Sequence, residues 1–365
     1  MDEVAANREA PGVLTEIPRY GPEVSRTVAP VRSGVPAINV ALFLVTLLTT
    51  TMAGAYSAGA ELSIFHPITS LAALSLGFSF SIPLMAILLA HEMGHYLTSR
   101  RHGVNSSLPY FIPAPFPSIF IIGTFGAFIR MRETPRTRRM MFDIGAAGPW
   151  AGFAVAIPCV IIGLKLSQIA PLASQSQGVS LELGNSLMFW GIARWVLGVN
   201  PNLVNVTMHP MAFAGWLGLF VTTLNLLPIG QLDGGHVVYT LFPRAHRTVS
   251  ALFVGVCVML AIVPLALGYS FWAGWLLWAV LGVALGLGHP STMDRDTPLD
   301  PRRRLAAWVT IALFLTTFVP VPVSLNTPEA PEKHEPPSYE VMYHAPRAHP
   351  APGIIDAIMI DESRR

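Results

Sequence analysis

Charged residues are scarce in this chain. Only 12% of its 365 residues are Asp, Glu, Lys or Arg, about half the share found in soluble domains, whereas 52% are hydrophobic. A soluble protein with this composition would struggle to stay dispersed, so we predict a membrane protein. The net charge of +2 is too small to indicate nucleic-acid binding, and we expect no nucleic-acid partner.

Cysteine is also nearly absent. The two cysteines, Cys159 and Cys257, both lie in apolar runs, which excludes a disulfide framework and a pair of thiolate ligands. We expect both to be packing residues. A removable signal peptide is not expected either, because the first apolar run follows about 35 polar residues and lacks a small-residue cleavage pattern.

The sequence has instead repeated apolar runs of near twenty residues, long enough to cross a hydrocarbon core of about 30 Å. Basic residues are concentrated in every second segment between these runs, which predicts seven spans with a cytoplasmic N-terminus. The predicted fold is an all-α polytopic membrane protein with about six to seven transmembrane helices. The predicted spans are 36–56, 70–95, 142–164, 211–231, 248–268, 271–289 and 305–322.

Both ends of the chain mix charge with proline and cannot bury enough apolar area to fold alone. We therefore predict a flexible cytoplasmic N-terminus at 1–35 and a Pro-rich flexible C-terminal tail at 323–365. Between them we place one transmembrane domain at 36–322, whose core is 70–290.

A pentapeptide with ionisable groups, His91-Glu92-Met93-Gly94-His95, lies at the cytoplasmic end of the second predicted span. In H-E-x-x-H the histidines are four residues apart on one helix face, where they can share a Zn²⁺ ion, with the glutamate as a candidate general base. The alternative is a pair of ordinary histidines satisfied at a helix end. Ionisable residues inside spans are costly and functional by default, which favours the metal site.

A catalytic zinc site usually takes three protein ligands and keeps one position for water. The fourth predicted span ends at the same face, in the segment 225–236, where Asp233 is the only acidic residue between Glu182 and Asp294. A carboxylate ligand also reduces the positive charge placed in a low-dielectric pocket. We predict Asp233 as the third ligand, with two alternatives left open: an Asx turn at a helix end, and His236 as the ligand instead.

Together, H-E-x-x-H at 91–95 and N-x-x-P-x-x-x-L-D-G at 225–234 resemble the site-2 protease family of intramembrane zinc metalloproteases. The resemblance covers roughly 80–290 and is greatest to the bacterial and plastid branch without PDZ or nucleotide-sensing domains. It extends through Gly123–Ala127, Gly145–Gly152 and His209–Trp216.

The resemblance implies a role for five residues. His91, His95 and Asp233 would bind one Zn²⁺ per chain, and Glu92 would activate the attacking water. Asn225 would help to hold the scissile peptide or its oxyanion, although an asparagine at this position can also serve helix packing.

The implied activity is intramembrane proteolysis, with hydrolysis of peptide bonds in transmembrane or membrane-proximal segments. The expected partners are membrane-protein substrates and the lipid bilayer; no signal indicates an oligomeric state. We expect an integral multi-pass protein of the bacterial plasma membrane, with its active site near the cytoplasmic face. The alternatives are a metal or ion transporter, which would need ligands at several depths or repeated halves, and a silent scaffold, which would not need Glu92.

Residues 119–130 are β-branched and aromatic, with glycines near the middle and too few residues to span a membrane as a helix. We predict a re-entrant or interfacial β-hairpin here. Its edge could take up substrate by strand addition, or the hairpin could be purely structural. The preceding run 109–117 holds four prolines and is predicted to lie along the interface.

Overall fold

The computed structural model describes residues 36–60, 71–116, 120–171, 180–269, 271–289, 292 and 297–326. The described part is mostly helical, as predicted, with short strands. The predicted flexible segment 1–35 and most of the predicted tail lie outside it.

The helices are α1 (Ala37–Ser57), α2 (Leu71–Ser75), α3 (Phe78–Arg101), α4 (Arg138–Lys165), α5 (Leu187–Leu197), α6 (Pro210–Asn225), α7 (Asp233–Leu241), α8 (His246–Ala266), α9 (Gly274–Ala284) and α10 (Pro301–Thr317). The strands are β1 (Tyr110–Pro113), β2 (Thr124–Phe128), β3 (Gln168–Pro171), β4 (Ser180–Leu183), β5 (Val204–Thr207) and β6 (Val323–Asn326).

Three helices in the described part of the chain, α1, α4 and α8, are long and apolar enough to cross a membrane. They coincide closely with the predicted spans 36–56, 142–164 and 248–268. Three helices of this length and composition establish a membrane-type helical protein, and the predicted count of six to seven spans is not confirmed.

The other four predicted spans differ from the observed helices for identifiable reasons. The span 70–95 is interrupted between α2 and α3, and the polar His and Glu residues of α3 lower its mean hydropathy. The helix α6 has 16 residues because it ends at Asn225, before the Pro- and Gly-containing segment. The helices α9 and α10 have 11 and 17 residues.

The centre of the fold is the packing of α3, α4 and α6 against one another. Glycines at the crossings allow this close approach: the Gly94 Cα faces the Ala147 carbonyl, and the Gly215 Cα faces the Val160 backbone. Apolar side chains fill the remaining space, including Phe80, Leu84, Ile87, Val160 and Leu219. The H-E-x-x-H helix is thus fixed on two sides by neighbouring helices.

A β-hairpin is present, but its extent differs from the prediction. The strand β2 lies inside the predicted 119–130 segment, whereas its antiparallel partner β1 comes from the Pro-rich run, with Tyr110 opposite Phe128. Proline is compatible with an edge strand because only alternate backbone N–H groups join the ladder. The Pro-rich run 109–117 therefore supplies a strand of the hairpin, which was not predicted, and its position along the interface stays a prediction.

The hairpin lies along the first half of α1. At its base, Asn39 Nδ2 donates hydrogen bonds to the carbonyls of Leu108 (3.1 Å) and Pro109 (2.8 Å). Near its tip, Thr49 Oγ1 donates to the Gly123 carbonyl (2.7 Å). The ten residues from Asn39 to Thr49 correspond to about 15 Å of helix, so the hairpin follows α1 over half the thickness of a bilayer core.

Two further small sheets were not predicted. The strand β3 pairs with β5, and β4 pairs with β6, both antiparallel. Residues 323–326 therefore belong to the folded part, and the predicted boundary of the tail at 323 was wrong. An all-α description with one hairpin is likewise incomplete.

An ion-pair network connects α10 to the ends of α3 and α4. The Arg303 guanidinium donates two hydrogen bonds to Asp143, at 2.8 and 2.7 Å, and His102 Nε2 lies 3.0 Å from the same carboxylate. Asp300 caps α10, and its hydrogen bond with Arg303 holds the pKa of the Asp300 carboxyl below its usual value. This network joins the three helices at the end where the H-E-x-x-H helix finishes.

Candidate metal centre

Two imidazoles and one carboxylate converge in the core of the molecule. His91 and His95 lie on one face of α3, and Asp233 is the first residue of α7. The nitrogen atoms His91 Nε2 and His95 Nε2 lie 3.3 and 3.2 Å from Asp233 Oδ2 and 3.2 Å from each other. In the described part of the chain, this is the one group of three His, Cys, Asp or Glu side chains that converges closely enough to bind a metal ion.

These separations fit a four-coordinate metal ion. With bonds of about 2.0–2.1 Å and tetrahedral angles, two ligand atoms lie about 3.3 Å apart. The three measured separations of 3.2–3.3 Å match that value. The three residues could therefore provide three corners of a tetrahedral site, which would leave the fourth corner for another ligand.

The tautomer of His95 is set by a backbone group. Its Nδ1 lies 2.7 Å from the Ile144 carbonyl of α4, which can only accept a hydrogen bond. In the neutral imidazole, Nδ1 must carry the proton, so Nε2 presents a lone pair to the centre of the site. Metal-binding histidines usually donate their other ring N–H to a carbonyl or carboxylate in this way.

The helix α4 packs its glycines directly against the imidazole rings. A Cβ atom added at Gly148 would collide with the ring of His95, 2.5 Å from its Cε1, and one at Gly152 would lie 3.2 Å from the Cβ of His91. The sequence analysis had matched Gly145–Gly152 only through the family resemblance. The structure gives Gly148 a local role, since a larger residue at this position leaves no room for the His95 ring.

The two other predicted site residues lie beside this cluster. Asn225, the last residue of α6, has its Nδ2 3.4 Å from His91 Nε2. The Glu92 side chain is buried, with 7% of the residue exposed, and the Ile129 backbone amide that follows β2 lies beside it. The hairpin and the predicted base are therefore in direct contact.

His236, the alternative ligand, lies one helical turn after Asp233 but belongs to a different cluster. Its Nδ1 lies 2.6 Å from His289 Nε2, and the His289 ring stacks on Tyr239 with centroids 4.2 Å apart. The ring of His246 contacts the edge of His289 at 5.5 Å. These rings brace α7, a helix of only nine residues that needs tertiary contacts to form.

Sequence reasoning missed most of this bracing. No functional role was assigned to His289, Tyr239 or His246 from the sequence. The histidine content of the segments that flank α7 was the one available signal. A buried site with three convergent ligand atoms and an adjacent carboxylate can bind a divalent cation and place a base beside it.

Comparison with known families identifies this core. The model of Peptidase family M50 matches residues 79–267, just over half of the chain, from the start of α3 to the end of α8. The matched region contains both motifs and all five predicted site residues. The resemblance to the site-2 protease family is thereby confirmed.

Curated relatives agree with the family match. The chain is 38% identical over 162 residues to "Probable zinc metalloprotease EGY1, chloroplastic" of Oryza sativa subsp. japonica, covering 44% of this chain and 27% of that protein. It is 33% identical over 216 residues to the protein of the same name from Arabidopsis thaliana, covering 58% of this chain and 38% of the relative. It is 28% identical over 245 residues to "Probable zinc metalloprotease EGY2, chloroplastic" of Oryza sativa subsp. indica, covering 65% and 41%.

The alignments therefore span well under half of the length of these relatives. No solved structure matches the chain. Because the family match covers more than half of the chain and contains the convergent His91, His95 and Asp233, the chain belongs to Peptidase family M50.

Proposed function

We propose that this protein is an intramembrane zinc metalloendopeptidase. The observation that carries the proposal is the convergence, at 3.2–3.3 Å, of two imidazoles from H-E-x-x-H and one carboxylate from the second motif. The relatives are named as probable zinc metalloproteases, which supports zinc as the metal. Zn²⁺ would also offset the charges of the two carboxylates, Glu92 and Asp233, in this buried setting.

His91, His95 and Asp233 would hold the ion, which when bound lowers the pKa of a water molecule and polarises a carbonyl group. Glu92 would accept the proton of the attacking water and later deliver it to the leaving nitrogen of the peptide. The Ile129 amide lies beside the Glu92 carboxylate and would help to orient it for this transfer. Asn225, whose Nδ2 lies near His91, would donate a hydrogen bond to the substrate carbonyl.

The position of the site along α1 supports cleavage near one membrane face. The helices α1 and α3 are antiparallel neighbours, with Thr51 Oγ1 donating to Ser81 Oγ at 2.8 Å. His91 follows Ser81 by ten residues, or about 15 Å, so it lies near the N-terminal end of α1. The basic segments on this side favour the cytoplasmic or equivalent face.

The kind of membrane is a separate question. The sequence predicts the bacterial plasma membrane, but the EGY relatives named above are described as chloroplastic and give that location no support. We propose an integral membrane protein, with six to seven spans as the finer hypothesis.

The hairpin suggests how a substrate is held. A substrate helix must unwind before its carbonyls can be attacked, and an open strand edge can bind the extended segment. The sheet of β1 and β2 has two strands, and β2 leads directly to the Ile129 amide beside Glu92. We therefore propose transmembrane or membrane-proximal polypeptide segments as substrates, bound by strand addition to β2.

The two alternatives have less support. A transporter would be expected to place ligands at several depths, whereas the convergent group lies at one depth. A silent scaffold would not need a buried glutamate beside the metal ligands. Family membership also favours a peptidase.

The test compares the parent with Glu92→Gln by membrane proteomics and by zinc analysis of the purified protein. We expect single-span proteins to accumulate only in the variant, with zinc content unchanged, because Glu92 is not a ligand. The matched control is Glu133→Gln, an exposed glutamate that accepts a hydrogen bond from Asn105. Cleavage at the parental rate by Glu92→Gln would refute the proposed role of this residue, and metal-dependent ion flux in proteoliposomes without any peptide cleavage would refute the peptidase.

A further inference from the structure

An apolar cavity of about 340 Å³ lies between α7, α8 and α10. This volume is within the range of about 300–1,000 Å³ that is typical of small-molecule sites. Its walls include Leu226, Gly234, Val238, Phe253, Ile311 and Leu315.

The side chains that line the cavity favour a hydrocarbon ligand. The one hydroxyl among the lining side chains, that of Thr310, already donates to the Ala306 carbonyl (2.8 Å) and accepts from Trp150 Nε1 (2.9 Å). A polypeptide segment in this cavity would lose its backbone hydrogen bonds to water without replacement. An acyl chain has no such groups to satisfy.

One end of the cavity carries aromatic and basic residues. Phe242, which lines the cavity, contacts the Trp308 ring edge to face at 5.9 Å, and 42% and 49% of these two residues are exposed. Arg304 is exposed and lies one turn before Trp308 and two turns before Ile311, on the same face of α10. Arg244, also exposed, follows Phe242 by two residues.

Tryptophan and arginine at the end of an apolar surface are typical of the depth of lipid head groups. We propose that this cavity binds one acyl chain of an anionic phospholipid, whose phosphate pairs with Arg244 and Arg304. The proposal goes beyond the peptidase activity and depends only on the protein being embedded in a membrane.

The location gives such a lipid a structural effect. Gly234 and Leu226 of the cavity wall adjoin Asp233 and Asn225 in the chain. A bound acyl chain would therefore fill the space behind the segment that carries the third metal ligand. We expect lipid binding to raise the thermal stability of the purified protein, since a ligand that binds only the folded state stabilises it.

The first experiment measures lipid binding by native mass spectrometry of the full chain in detergent. Dioleoyl phosphatidylglycerol is compared with dioleoyl phosphatidylcholine, which has the same acyl chains and no net charge. We expect one phosphatidylglycerol per chain, with weaker binding of phosphatidylcholine. Each arginine near the membrane surface contributes a factor of about five in affinity, so Arg244→Gln with Arg304→Gln should weaken phosphatidylglycerol binding about 25-fold.

Matched controls separate this site from general attraction of lipid to basic residues. Arg302→Gln removes an exposed arginine from a different face of α10 and should leave phosphatidylglycerol binding unchanged. Ile311→Trp fills the cavity and should weaken the binding of both lipids, whereas Val309→Trp, at a position 43% exposed, should weaken neither. Equal affinity for both lipids, or unchanged binding in the double arginine variant or in Ile311→Trp, would overturn the proposal.

A second experiment identifies the occupant in the membrane. A photoreactive benzoylphenylalanine replaces Leu315, which lines the cavity and is 60% exposed. Irradiation in vesicles that contain phosphatidylglycerol should give an adduct with the mass of one lipid. An adduct with a second copy of the chain or with another polypeptide would overturn the lipid assignment. Lipid binding can also be measured on Glu92→Gln, which is not expected to cleave substrates. The proposed lipid site and the proposed peptidase activity can therefore be refuted separately.

Discussion

Gly148→Ala adds one methyl group at the point where α4 touches the metal cluster. The added Cβ would collide with the His95 ring, 2.5 Å from Cε1, and ordinary contacts begin near 3.4 Å. Moving α3 and α4 apart would also break the close packing at Gly94 of α3, which lies against the Ala147 backbone of α4. The ring atom nearest to the added Cβ is Nε2, which would lie closer still, so the ring of His95 must move by more than about 1 Å.

That movement is large compared with what metal coordination tolerates. Metal–ligand distances in a working site stay within about 0.2 Å of their ideal values. The displaced ring would also lose its hydrogen bond from Nδ1 to the Ile144 carbonyl, and a buried imidazole N–H left without a partner costs about 1–3 kcal/mol. That cost corresponds to a factor of about 5–150 in zinc affinity, and we expect a loss of cleavage in proportion to zinc occupancy.

The assay is a competition between the purified protein and a zinc chelator of known affinity, for a graded series of glycine variants. Gly152→Ala should have a small effect, because its Cβ would lie 3.2 Å from the Cβ of His91. Gly255→Ala on α8 meets no atom within 4 Å and is the control. An alanine in a helix is favoured over glycine by about 1 kcal/mol, so the control should keep or gain thermal stability.

The order of the series is the critical result. If Gly148→Ala bound zinc as tightly as Gly255→Ala while remaining folded, the His95 ring would not be a ligand held against α4. A loss of zinc in all three variants would point instead to a general loss of structure.

Three further outcomes follow from the contacts around the site. His289→Ala removes the 2.6 Å contact that braces α7, and chelator competition should show a loss of zinc affinity of about 10- to 100-fold. Asp143→Asn weakens the partly exposed pair with Arg303 and should lower the free energy of unfolding in detergent by about 1 kcal/mol. Thr49→Val releases the hairpin tip and should slow cleavage with zinc affinity unchanged; a parallel loss of zinc would contradict this role.

Some features of the site could be predicted because they depend on short-range spacing. The i, i+4 separation of His91 and His95 places both rings on one helix face in any helix. Asp233 could be paired with them because alternate spans end at the same face and few acidic residues compete. The full ligand set stays a prediction, and its geometry agrees with the separations in the structure.

Other features could not be predicted because they depend on contacts between distant parts of the chain. The strand β6 pairs with β4, about 140 residues earlier, so composition alone made 323–326 resemble a disordered tail. The partner of β2 was missed for a local reason, because the prolines of the run that contains β1 are unusual in a strand. The ends of the helices α6 and α9 depend on local turns that hydropathy does not register.

The central claim is that α3 and α7 together form one zinc site with an open position. X-ray absorption at the zinc edge on the purified full chain tests it most directly, since it counts the ligand types around the ion. We predict one zinc per chain with two imidazole nitrogens at about 2.0–2.1 Å and at least one carboxylate oxygen at about 2.0–2.2 Å, and loss of this signal in Asp233→Ala. If the zinc had three imidazole ligands, and these persisted in Asp233→Ala, the third ligand would be His236 and not Asp233. That result would contradict the account.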